Sequence, residues 1–170
     1  SHSSRVGMER VEFPVIGPLA APSSAELAVP NGWGQLIPNP SQSKGYHGHF
    51  PCGTCDMQAA NLCDSGSGLY LAAHDPRGAD KEIVFSALPE QNALSYHLVT
   101  HPSGMGTVGL GQDYALPYAA ATGAFAGNWL AGAKLYRSWL PNAIWWPKQP
   151  IAERTDTPQW VKETALWLQS

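Results

Sequence analysis

Charge is scarce in this chain. Asp, Glu, Lys and Arg supply 14% of its 170 residues, against roughly 25% in an ordinary soluble domain, so part of its surface is expected to lie hidden against a partner. Ten basic and 13 acidic residues leave a formal net charge of -3, and Lys and Arg form no cluster. Without a basic field to hold a phosphate backbone, nucleic acid is excluded as a partner. Long apolar runs are missing too. The longest nearly uncharged stretch, Gly109 to Ala133, is broken by Asp113 and filled with Gly, Ala and Pro, so no membrane span is expected and a soluble protein is. No nucleophile elbow, Walker loop or His-Glu-x-x-His motif occurs, and no pair of carboxylates shares a motif. Asp113, Glu153 and Asp156 are acids by type alone, and the chain by itself presents no complete active site.

What is present is a series of short β-type runs followed by a helix. Met8 to Ile16 is the first candidate strand, ended by Gly17-Pro18. Pro22 to Gly45 reads as loop, punctuated by Pro30-Asn31-Gly32 and Pro38-Asn39-Pro40, with Trp33, Leu36 and Ile37 expected to tuck it against the core. Met57 to Cys63, Leu69 to Ala73, Glu82 to Leu88 and Ala93 to Thr100 then follow at the spacing of an antiparallel sheet. The turn Asp64-Ser65-Gly66-Ser67-Gly68 predicts a hairpin. In the last of these runs Leu94, Tyr96 and Leu98 alternate with Ser95 and His97, the pattern of a sheet with one buried face. After a glycine-rich loop, His101 to Gln112, Tyr114 to Phe125 suits another strand. From Asn128, a good N-cap, the period changes. Trp129, Ala133, Tyr136 and Leu140, with Gly132 and Trp139 beside them, form the apolar face of a three-turn helix ended by Pro141. A linker, Ile144 to Thr157, leads to a second short helix opened by Thr157-Pro158. Thr164 to Leu168 reads either as its continuation or as the first strand of a new domain.

Three local patterns could carry chemistry. His47, His49, Cys52, Cys55 and Cys63 sit close together, and a Cys-x-x-Cys knuckle with imidazoles nearby can wrap a tetrahedral zinc. The remaining ligands are crowded into the same loop, so a local disulfide or plain thiols compete with that reading, and no metal or other cofactor is expected. The spaced glycines of Gly104 to Gly111 lack a βαβ setting and do not form a dinucleotide site. His74-Asp75, closed by Pro76 with Lys81 across the turn, brings acid, base and cation together. They could grip a sugar hydroxyl, although an Asx-type turn with a surface ion pair is the simpler account. Tryptophans, Trp33, Trp129, Trp139, Trp145 and Trp146 among them, offer platforms for sugar rings or anchors for packing. The candidate carbohydrate-binding residues are therefore His74, Asp75, Lys81 and Trp33.

Gly32-Trp33-Gly34-Gln35-Leu36-Ile37-Pro38-Asn39-Pro40, Asp56-Met57-Gln58, Gly68-Leu69-Tyr70-Leu71-Ala72-Ala73-His74-Asp75-Pro76, and the segment from Gly127-Asn128-Trp129 to Tyr136-Arg137-Ser138-Trp139 together carry a resemblance. They resemble a little-characterised group of bacterial glycoside hydrolases, distantly similar to endo-α-N-acetylgalactosaminidases. The resemblance implies a galactose-mutarotase-like β-supersandwich followed by a (β/α)8 catalytic barrel. The expected fold is mainly β, an antiparallel β-sandwich with a linker helix and the start of a barrel. Residues 1–4 read as a tag remnant, 5–127 as the sandwich portion, 128–157 as connecting helix and linker, and 158–170 as the opening of the barrel.

On that reading the catalytic carboxylates lie at the ends of later barrel strands, and no catalytic residue is assigned to this chain. Its expected partners are the remainder of the same enzyme, in one polypeptide or two, and a carbohydrate substrate. A secreted or periplasmic setting goes with that expectation. A free-standing carbohydrate-binding module, or a small zinc-stabilised interaction domain, stands as the alternative.

Overall fold

The structure, a computed structural model, describes residues 7–51, 53–103 and 113–164. The expectations for residues 1–4, for Cys52, for the glycines from Gly104 to Gly111 and for a barrel strand beyond Thr164 lie outside the described residues.

Among the described residues, nine strands and two α-helices follow in chain order. They are β1 (Val11–Ala20), β2 (Glu26–Val29), β3 (Gln35–Pro38), β4 (Tyr46–Phe50), β5 (Ala59–Asp64), β6 (Ser67–His74), β7 (Lys81–Leu88), β8 (Ala93–Thr100), β9 (Ala119–Ala126), α1 (Trp129–Trp139) and α2 (Gln159–Glu163). One sheet has the order β1-β8-β7-β4 and the other β3-β2-β5-β6-β9, with each pairing antiparallel. The fold is mainly β, and a two-sheet sandwich describes it.

The inner faces meet over one core. Leu27, Leu62 and Leu71 from the five-stranded sheet pack against Ile83, Phe85, Leu94, Tyr96 and Leu98 from the four-stranded one. At about 1.5–3 kcal/mol for each large apolar side chain taken out of water, this is the main source of stability. The predicted alternation in β8 holds: Leu94, Tyr96 and Leu98 are buried while Ser95 and His97 are half-buried. The central strands β5 and β6 are buried on both faces, because α1 covers the outer face of their sheet. Ala59, Tyr70 and Ala72 there pack against Tyr136, with Trp139 and Leu140 beside them. The molecule thus has three layers, sheet, sheet and helix.

Local signals account for most element ends. The β5–β6 hairpin turns on Ser65 and Gly66, both at positive φ (49° and 81°), the backbone that a tight two-residue turn demands. The Asn128 side chain accepts a hydrogen bond from the Leu130 N–H at 3.1 Å, capping α1 as predicted. Strand β1 runs past Gly17-Pro18, where the sequence predicted its end. It is an edge strand, and register shifts flank Pro14 and Pro18, so prolines without an N–H are tolerated there. Strands β2 and β3 occupy the region predicted as loop. The N-cap of α2 is Pro158 rather than Thr157, and no side chain caps the helix. Among the described residues, no helix is long and apolar enough to cross a membrane.

Candidate functional site

A cavity of about 580 Å³ lies on the outer face of the five-stranded sheet, between α1 and the β2–β3 turn. That is within the range of small-molecule sites. Its floor is Ala28 of β2 with Ala59 and Asn61 of β5. One wall is Trp129 and Ala133, four residues apart on α1; the other is the turn carrying Trp33, Gln35 and Leu36, and Asp56 and Met57 close one end.

Trp33 was expected to fold inward. Instead its side chain is fully solvent-exposed (103%), and Leu36 beside it is 43% exposed; only Ile37 of that trio packs on the core. Backbone conformation decides this. Gly32 and Gly34, on either side of Trp33, have φ of 53° and 94°, values that side-chain-bearing residues rarely adopt. They direct the chain outward at the tip of the hairpin. No atom lies within 4 Å of where a Cβ would stand on either glycine, so open space borders the indole. The turn is held in shape by Asn31 Nδ2 donating to Gln35 Oε1 at 2.9 Å.

Trp129, at the other wall, is 41% exposed. Asn61, between them on the floor, is 4% exposed, and its Oδ1 has no hydrogen-bond partner. That oxygen faces Gly132 of α1: a Cβ on Gly132 would stand 2.0 Å from it. The glycine lets helix and sheet approach closely and so sets the depth of the cleft. Asp56 is the one carboxylate lining the cleft among the described residues, and no Lys, Arg or His joins it. Glycoside hydrolysis by acid/base chemistry uses two facing carboxylates. Among the described residues, the lining offers one carboxylate, Asp56, rather than a facing pair.

The other predicted sugar-binding residues lie elsewhere. Asp75 and Lys81 are an ion pair 3.0 Å apart with both side chains fully buried, where the simpler sequence reading had placed the pair on the surface. The Asx-type turn is there: Asp75 Oδ1 accepts from Arg77 N at 2.9 Å and Oδ2 from Ala79 N at 2.6 Å. Lys81 Nζ donates also to Gln58 Oε1 at 2.8 Å and to the carbonyl of Ala79. It lies 4.9 Å from the ring centres of both Phe50 and Tyr118. Burial draws the Lys81 ammonium below its usual range, against the hydrogen bond and charge of Asp75. With three oxygen acceptors the ammonium is saturated, and neither charge is open to a ligand. His74 is half-buried, 2.9 Å from the Tyr70 hydroxyl and stacked on Trp139 at 4.8 Å. Burial lowers its pKa. It faces α1, away from Asp75.

The histidine–cysteine group separates in the same way. On β4, His47 and His49 point outward to Glu82 (2.9 Å) and Asp80 (2.7 Å), while Cys55 Sγ points into the core, 3.1 Å from the Tyr46 hydroxyl. The pleat of β4 turns these imidazoles to the face opposite Tyr46, whose hydroxyl the thiol meets. Cys55 and Cys63 are buried free thiols, each raised in pKa by burial. Among the described residues no group of His, Cys, Asp and Glu could hold a metal ion. Glu82 accepts from a second imidazole, His101, at 3.1 Å. Burial opposes its ionisation, but the hydrogen bonds with His101 and His47 outweigh it and hold its carboxyl low.

Comparison with known proteins bears on parts of the chain. Residues 114–170 match a family described as a domain of unknown function, DUF6259. Over 131 residues the chain is 27% identical to a protein of Monosiga brevicollis named "Putative glycoside hydrolase 22789", the match covering 72% of this chain and 11% of that protein. The chain thus spans about a ninth of the relative's length. No solved structure matches it. The likeness supports a relation to glycoside hydrolases in general and nothing narrower.

Sequence reasoning had Trp33 and Trp129 as possible sugar platforms, and had Gln35, Leu36, Asp56 and Met57 within the resembling segments. It did not bring them together. The signal was the Asn-Gly-Trp-Gly turn, in which an aromatic stands between two residues free to adopt positive φ.

Proposed function

We propose that this chain is the β-sandwich portion of a glycoside hydrolase, a non-catalytic domain that braces a (β/α)8 barrel on which the two catalytic carboxylates reside. The observation that carries the reading is the match to a named glycoside hydrolase over most of this chain but only 11% of that protein. A sandwich covering so small a share of a hydrolase, with one carboxylate in its main cleft, suits a supporting domain better than a catalytic one. Apolar side chains after α1 point the same way. Ile144 is 76% exposed, Trp145 42%, Ile151 54% and Trp160 62%, and on this reading they are covered by the barrel. Residues 128–157 form the connection and 158–170 lead into the barrel.

The test compares the purified parent protein with the 170-residue chain on aryl glycosides. Turnover by the parent and none by the chain is expected, with Trp160 shielded from quenchers in the parent alone. Hydrolysis by the isolated chain, or a Trp160 equally quenched in both, would overturn the proposal.

A further inference from the structure

We infer that the cleft between Trp33 and Trp129 binds a neutral sugar, a pyranose ring stacked on the Trp33 indole with its hydroxyls directed to Asp56 and Gln35. The choice of ligand class rests on the glycoside hydrolase reading; the choice of site does not. The cleft holds a cavity of about 580 Å³, and its most exposed wall is a tryptophan with 103% of its reference surface in solvent. A large apolar side chain left this bare costs solvation unless something covers it. The two glycines at positive φ that hold it out have no packing reason to be glycine, since nothing stands near either Cβ position. Their effect is to present the indole.

The lining chemistry narrows the occupant. A purely apolar ligand would leave the Asp56 carboxylate facing it without a donor, and burying an unpaired carboxylate is costly. An anionic ligand would meet that same carboxylate with no Lys, Arg or His in the lining to offset it. What remains is a neutral molecule with an apolar face for an aromatic ring and several hydroxyl donors at its rim. A pyranose has both. Aromatic platforms with a few convergent polar groups are what such a ligand requires.

The experiment uses the 170-residue chain as it stands. Maltotriose, cellotriose, lactose, N-acetylgalactosamine and glucuronic acid are titrated while tryptophan fluorescence and indole N–H signals in ¹H–¹⁵N spectra are followed. At least one neutral sugar is expected to bind with millimolar affinity or better, shifting the Trp33 indole signal, and glucuronic acid is expected to bind more weakly than the neutral monosaccharide. Trp33→Ala, a change at a fully exposed side chain of the kind that leaves folding nearly unchanged, should weaken binding at least tenfold. Trp160→Ala, at an exposed tryptophan outside the cleft, should leave it unchanged. The inference is overturned if no neutral sugar shifts the Trp33 signal at roughly ten times a millimolar Kd, or if Trp33→Ala binds like the parent chain. Either failure leaves the domain reading standing, because that reading is judged on turnover by the full protein. Conversely, hydrolysis by the isolated chain would sink the domain reading while sugar binding at Trp33 survived.

Discussion

Gly132 is the residue whose replacement tests the packing of α1 most directly. A methyl group placed there would stand 2.0 Å from Asn61 Oδ1 and 2.4 Å from its Cγ, more than 1 Å short of ordinary contact. Asn61 is 4% exposed and lies on a central strand under the helix, so it has little room to swing aside. Overpacking of this kind costs about 1–3 kcal/mol, and the crowding of two side-chain atoms places Gly132→Ala near the upper end. Against this stands the gain of about 1 kcal/mol from replacing glycine inside a helix. The net expectation is a loss of about 2 kcal/mol, or roughly 4–8 °C in Tm for a chain of this size. The sign should reverse when Asn61 is first shortened. In the Asn61→Ala background the clash is gone and only the helix gain remains, so Gly132→Ala should stabilise by about 1 kcal/mol. The coupling between the two sites would then be about 3 kcal/mol, far outside the roughly 0.5 kcal/mol scatter of independent positions. Urea titration followed by tryptophan fluorescence measures all four proteins. Additive effects, or a Gly132→Ala protein as stable as the parent, would refute the argument that this glycine exists to let helix and sheet touch.

Lys81→Met leaves the Asp75 carboxylate buried without its cation and should cost about 3–5 kcal/mol in the same assay; a loss below 1 kcal/mol would mean the pair is not internal. The six tyrosines, Tyr46, Tyr70, Tyr96, Tyr114, Tyr118 and Tyr136, are all raised in pKa by burial. Unfolded tyrosines ionise near pH 10 while these stay protonated, so stability held below pH 10 is lost above it, with phenolate absorbance appearing together with unfolding. His74 runs the other way: its folded pKa lies below 6.5, so as pH falls past 6.5 the unfolded state takes up a proton first and stability declines, an effect that His74→Phe should reduce in acid titrations of Tm. Cys55 and Cys63 should react with a thiol reagent only on unfolding, since both are buried and held as thiols; rapid labelling of either in the native protein, mapped by peptide mass, would contradict the structure.

The parts of the fold legible in the sequence are those fixed by local chemistry. Strand β8 announces itself because Leu94, Tyr96 and Leu98 must face one way, and α1 because Asn128 caps it and the apolar period turns helical. Strands β2 and β3 were illegible for a physical reason. Each is four residues long, their hairpin carries glycine and asparagine, and β2 is held in the sheet by pairing with β5 about 35 residues away. Strand β4 hides behind two histidines and a glycine whose placement is set by β7. The site shows the same division. That Trp33 is an aromatic on a turn is visible, but whether it points in or out depends on the φ of Gly32 and Gly34, which composition does not state. That Asp75 and Lys81 form a pair was readable from the turn. Their burial was not, because the groups that enclose them, Phe50, Gln58 and Tyr118, come from three separate places in the chain.

The depth of that pair explains how the segment after α1 is fastened. The Asp75–Lys81 turn is rigid because its carboxylate takes two backbone N–H groups and its ammonium three oxygens. On its outer side Pro76 accepts a hydrogen bond from Ile144 N at 2.9 Å, and Ala143 beside it is 6% exposed. Trp145 closes over the turn, 6.2 Å from Phe50 between ring centres and so near Gly78 that a Cβ there would lie 3.0 Å from the indole. Gly78 also has φ of 71°, so Gly78→Ala combines backbone strain of about 1–2 kcal/mol with a displaced Trp145. The buried charges and the linker therefore form one unit. If that unit transmits the sandwich's rigidity to whatever follows Trp160, Gly78→Ala should speed hydrogen exchange at Ile144 and Trp146 while β8 stays protected. Equal loosening of β8 would show that the turn holds up the sandwich itself rather than its connection.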